Sequence, residues 1–102
     1  MTVKNISEAK GWFAVLQTSK RIQTAMMRLE AGKSSGSKLE GHKESDQVLL
    51  VLEGEVHGEI AGDEITLRKG DVIIIPAATK HKFTNRGPAD ALTFNTYSPP
   101  EY

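Results

Sequence analysis

The chain has 102 residues, with 13 basic and 13 acidic side chains and no cysteine. That length suits one domain, residues 1–102, with a single core, and the even charge commits no face to nucleic acid. Disulfides and thiolate metal sites are excluded, so any metal must be held by His, Glu, Asp, amide or carbonyl groups, which favour the harder first-row ions.

The N-terminal MTVKNISEAK lacks the apolar centre of a signal peptide, and no apolar run approaches membrane-spanning length. A cytoplasmic protein with no membrane partner is expected. Residues 5–11 suit a helical turn or a loop. WFAVLQ and RIQTAMMRLE follow as the first short apolar or alternating runs, and then comes the polar loop GKSSGS. Gly32-Lys33-Ser34 looks like the end of a phosphate-binding loop. That loop needs glycine at position 27, which is methionine, and a helix after it, where a strand is expected. Ser34, Ser35 and Ser37 lie in the same loop with no base beside them, so no separate nucleophile emerges.

KLEGHKESDQ, residues 38–47, is the stretch with most chemistry. On a strand, Glu40 and His42 point the same way, which is what two ligands on one strand require. Gln47 opens the next strand after the polar bend KESD. If the bend carries an extra residue, Glu44 or Asp46 takes the place of Gln47. The runs QVLLVLE and DVIIIP are apolar on both faces, as when two sheets stack or a partner subunit covers the outside. Between them, EVHGEI and EITLR are joined by a tight hairpin at Ala61-Gly62-Asp63. His57 alternates against its neighbours and faces outward, as a structural or interfacial residue. In HKFTN, His81, Phe83 and Asn85 share a face, while Lys80 and Lys82 take the other. ALTFNTY is the last strand. The tail YSPPEY, residues 97–102, is extended by its prolines and packs over a neighbouring strand or a subunit. Short strands at regular spacing read as an all-β sandwich or barrel. Met26 or Met27, Phe83, Phe94 and Trp12 are candidates for an apolar mouth, although each is more often core than contact surface.

Residues 70–85, GDVIIIPAATKHKFTN, resemble the second motif of the cupins, at Gly70, Pro76, Ala78, His81 and Asn85. The family usually has glycine where Ala78 stands. The first motif, anchored on Gly54, falls on Glu40, His42 and Gln47, with the spacing kept and two ligand types changed. The resemblance covers roughly residues 20–97, with the motifs in about 36–85. It implies a double-stranded antiparallel β-helix (jelly-roll) barrel that often dimerises, so a homodimer is expected. It also implies a divalent transition metal (Fe, Mn, Ni or Zn) at one mouth, held by Glu40, His42, Gln47 and His81.

In this set the carboxylate has moved from the third ligand position to the first. Two histidines and one carboxylate are also the set used by non-haem iron(II) oxygenases, whereas the amide is a weak ligand that lowers the expected affinity. Without an ion, the same groups form a satisfied polar cluster. Function stays open between three readings. One is metal-dependent chemistry, dioxygenase- or isomerase-like, on a small organic molecule, with Glu40 as a general base if it does not bind metal. The second is a non-catalytic small-ligand-binding or sensing module, and the third is a mostly structural dimer.

Overall fold

A computed structural model describes residues 2–36 and 40–102; Ser37 of the polar loop lies outside the described residues. Each of the eight apolar or alternating runs forms a strand: β1 (Phe13–Thr18), β2 (Gln23–Leu29), β3 (Asp46–Glu53), β4 (Glu55–Ile60), β5 (Asp63–Arg68), β6 (Val72–Ile75), β7 (His81–Thr84) and β8 (Ala91–Ser98). A 3-10 turn, Ile6–Glu8, precedes them. Asn5 caps it by accepting the Ser7 N–H, and Glu8 accepts the Asn5 N–H in return, so both free donors of that end are satisfied.

The strands build two antiparallel sheets, one in the order β1-β2-β8-β3-β6 and one in the order β5-β4-β7. This is the jelly-roll barrel that the motifs implied. Alternation decides what lies inside. On β3 and β8 the inward residues are buried while their neighbours are more exposed, as in Gln47, Leu49 and Val51 of β3; on β2 the outward Met26 is buried as well. Phe83 of β7, 2% exposed, reaches from the smaller sheet into the core with Leu49, Val51 and Val56. The position facing it on β4 is Gly58, where a Cβ would lie 3.0 Å from the Phe83 ring.

β4 and β5 are joined by the two-residue link Ala61–Gly62, with φ of 52° and 86°, which meets the demand of a type I′ hairpin for positive φ at both positions. DVIIIP was expected to be covered on both faces. Within the chain it is an edge strand, with Val72 and Ile74 61% and 65% exposed on the outer side.

Residues 40–42 depart from the expected strand. Only Glu40 is bridged, through reciprocal backbone bonds with His81 (3.2 and 2.9 Å). Gly41 and His42 then run against the turn between β6 and β7, where the Ala78 N–H donates to the His42 carbonyl at 2.6 Å. A Cβ on Gly41 would come within 3.0 Å of the Thr79 carbonyl oxygen, so the close approach requires glycine. The arm carrying Glu40 and His42 is thereby fixed to the segment that carries His81. Among the described residues, no helix is long and apolar enough to cross a membrane.

Candidate functional site at the barrel mouth

A pocket of about 260 Å³ opens between the arm and the inner face of the larger sheet, and Glu40, His42, Gln47 and His81 all line it. The rings of His42 and His81 stand 5.1 Å apart, centroid to centroid. Their orientations follow from their partners. His81 Nδ1 lies 2.9 Å from the Thr79 carbonyl. A carbonyl only accepts, so Nδ1 carries the proton and Nε2 keeps its lone pair in the neutral ring. Burial holds His81 below the ordinary imidazole value; the Thr79 bond opposes this and nearby His42 adds to it. His81 Nε2 has no hydrogen-bond partner among the described residues.

His42 is held on both sides. Its Nδ1 faces Glu101 Oε1 at 3.2 Å, and its Nε2 faces Gln47 Oε1 at 3.0 Å. Gln47 is 3% exposed, and its Nε2 donates to Asn95 Oδ1 at 3.0 Å; Asn95 Nδ2 in turn donates to Thr93 Oγ1 at 3.0 Å. This buried polar row aims the Gln47 oxygen at the ring. Asp46 alternates outward on β3 and accepts the Ala77 N–H at 2.8 Å. Gln47 lines the pocket, and neither Glu44 nor Asp46 does.

The donors suit a divalent ion in part. Both imidazoles are anchored through Nδ1 by an acceptor, which is how metal-ligating histidines are usually oriented. Two neighbouring ligand atoms at right angles, each about 2.1 Å from an ion, lie roughly 3 Å apart. That spacing matches His42 Nε2 and Gln47 Oε1. The carboxylate is less settled: Glu40 is exposed at the rim, and among the described residues no three His, Cys, Asp or Glu side chains are grouped to hold a metal. The fit is to two imidazoles and an amide oxygen, with an acid at the edge.

The walls are Trp12, Phe13, Met27 and Phe83. Met26 and Phe94, weighed as wall residues from the sequence, pair with each other one step out of register with Met27 and Thr93, so both sit on the outer face of the sheet. His57 is in neither the pocket nor a hydrogen bond: its Nε2 stands 3.5 Å from Glu64 on the outer side of the small sheet. Asn85, in the second motif, is structural. It donates to the Leu29 and Ala89 carbonyls and accepts the Gly87 N–H, closing the loop after β7.

Phe13, Tyr97, Glu101 and Tyr102 also line the pocket and went unnoticed as site residues in the sequence. Burial and the adjacent Tyr102 push Tyr97 far above its ordinary value, so it stays a neutral phenol. The signal for Glu101 was a lone acid beyond two prolines, which carries no periodicity.

Fold and site together define a jelly-roll barrel with two facing imidazoles in its mouth. The chain belongs to the cupin family: the family model described as Cupin domain matches residues 25–97. Auxin-binding protein ABP19b of Prunus persica is 32% identical over 81 residues, which cover 74% of this chain and 39% of that protein. The chain thus spans well under half the length of the curated relatives it matches. Among solved structures, BH2720 of Bacillus halodurans superimposes with a TM-score of 0.88 at 26% identity, covering 99% of this chain and 83% of that one. A sugar phosphate isomerase of the cupin superfamily from Silicibacter pomeroyi gives 0.73 at 26% identity, covering 85% of this chain and 59% of that one.

Proposed function

We propose that this cupin binds a divalent transition ion (Fe, Mn, Ni or Zn) through His42 Nε2, His81 Nε2 and Gln47 Oε1, and acts on a small organic molecule held above it. The observation that carries this reading is the shared anchoring of both rings through Nδ1. When bound, such an ion would supply Lewis acidity toward a substrate oxygen. The chain's own residues do the rest. Trp12, Phe13 and Met27 receive the apolar body of the ligand. Tyr97 offers a neutral hydroxyl. Glu40, exposed at the rim and held in place by its backbone bridge to His81, takes a proton from the ligand as a general base. Isomerase- or dioxygenase-type chemistry suits such a set, and the name of the Silicibacter pomeroyi neighbour favours the former.

A second reading is a non-catalytic small-ligand binder. It draws on the ungrouped carboxylate and on the name of the Prunus persica relative. Calorimetric titration of Mn(II), Fe(II), Ni(II) and Zn(II) into wild type, His42→Ala and His81→Ala decides whether an ion is bound here at all. Saturable wild-type binding that both variants lose is the expected result; equal binding by all three proteins overturns the site. Ligand-induced stabilisation that persists in chelator favours the binder, by simple linkage.

A further inference from the structure

The segment after β8 folds back across the mouth through two buried side chains. Gln23, 1% exposed, accepts the N–H groups of Glu101 and Tyr102 at 3.1 and 2.8 Å and donates to the Tyr102 carbonyl at 2.7 Å. Ser45, also 1% exposed, donates to the Pro99 carbonyl at 2.6 Å and lies 3.2 Å from Glu101 Oε2. The Tyr102 ring packs on Phe13 and Tyr97 at 4.8 and 5.2 Å. Without the tail, the buried polar atoms of Gln23 and Ser45 would lose these partners, which is costly inside a protein. This docking brings the carboxylate of Glu101 to within 3.2 Å of His42 Nδ1.

A carboxylate only accepts, so the nitrogen facing it keeps its proton whether or not the other nitrogen carries one as well. The Gln47 oxygen facing Nε2 only accepts too, so a neutral ring serves one of its two acceptors; the charged carboxylate is the stronger, and Nε2 is left as the bare nitrogen. We infer that Glu101 is the positioning carboxylate of the site: delivered by the docked tail, it holds His42 in the ring orientation and tautomer that present Nε2 to the pocket. Glu101 acts through His42 and does not itself bind the ion. The consequence for metal affinity rests on the function proposed above; the consequence for the ring does not.

The test uses the full chain without an affinity tag, as wild type, Glu101→Ala and Gln23→Ala. The second variant releases the tail without touching the ring. Amide spectra and melting curves establish that each variant is folded. Two quantities are read: the side-chain ¹⁵N shifts of His42 in metal-free protein at alkaline pH, where imidazoles are neutral, and the Kd for Zn(II). Wild type should show the Nδ1–H tautomer alone. Both variants should shift toward the Nε2–H tautomer that the Gln47 oxygen accepts and bind Zn(II) about 10–100-fold more weakly, the usual effect of removing such a partner. Unchanged ¹⁵N shifts in Glu101→Ala overturn the inference, and so does tighter Zn(II) binding, which would make Glu101 a competitor for the ion. If wild type binds no Zn(II), the metal reading fails, and the tautomer alone then decides the role of Glu101.

Discussion

A methyl group at position 41 would sit 3.0 Å from the Thr79 carbonyl oxygen and 3.1 Å from the carbonyl carbons of Ala78 and Thr79. All three are backbone atoms, so the neighbour cannot yield by turning a side chain. Gly41→Ala should therefore lower stability by about 1–3 kcal/mol, the range for forced insertions into packed sites, and should weaken metal binding by moving His42. Denaturant unfolding and the Zn(II) titration check the two effects. His81 gives a pH dependence whose sign is fixed by its environment. Its folded value lies below the ordinary 6.5, so the unfolded chain takes up the proton more readily. Stability of the metal-free protein should be unaffected by this group above about pH 6.5 and should fall as the pH drops below it. A His81→Gln variant should show a shallower decline across that window in denaturant midpoints measured at a series of pH values. Asn95 supports the site from behind: Asn95→Ala removes the acceptor of the Gln47 amide N–H inside the core. A loss of about 1–3 kcal/mol is expected for that orphaned donor.

At the scale of elements, the eight strands were legible as short apolar or alternating runs, most of them bounded by Gly, Pro, Asn or Asp. On β3 and β6, whose runs are apolar on both faces, the period did not tell inside from outside: Leu49 and Val51 face the core, while Val72 and Ile74, expected to be covered, are exposed on an edge strand. His81 was placed by alternation, since it opens a strand whose next inward residue is the buried Phe83. The arm was not legible in this way. His42 reaches the pocket from irregular backbone, held by one bridge and by the approach of Gly41 to the 78–79 turn, and a contact of that kind leaves no periodic trace. Met26 and Phe94 were candidates on hydrophobicity, yet the alternation that turns Met27 and Thr93 toward the pocket side puts them on the other face of the sheet, where Met26 is buried all the same. Glu101 depends on Gln23 and Ser45, which are far from it in the chain and read only as ordinary polar residues. The hairpin at 61–62 offers a test of local turn chemistry. Ala61 holds a φ of 52°, and asparagine tolerates that region better than alanine. Ala61→Asn should raise the melting temperature slightly, by well under 1 kcal/mol of stability, with the site unchanged.

For the whole molecule, the outer side of the larger sheet carries half-buried Phe94 and Leu50 in one cross-strand row that ends at exposed Val72, while Met26 beside Phe94 is already buried within the chain. A second copy covering this row is our proposal for the expected homodimer, because obligate interfaces resemble a core cut in half. Sedimentation velocity over a concentration series should show a dimer for wild type, and Val72→Lys with Ile74→Lys should shift it toward monomer. A monomer at every wild-type concentration would remove that proposal and leave the pocket untouched, since its described lining comes from within the chain. The site itself joins the arm, β3, β7, β8 and the tail, so it exists only when both sheets and the tail are assembled. The measurement that bears most directly on the central claim is elemental analysis of untagged protein as purified, for wild type beside His81→Ala. Near-stoichiometric transition metal in wild type and its loss in the variant is the result expected of two imidazoles sharing one ion. Equal metal content in the two proteins, or none in either after incubation with Mn(II), Fe(II), Ni(II) and Zn(II), would contradict it.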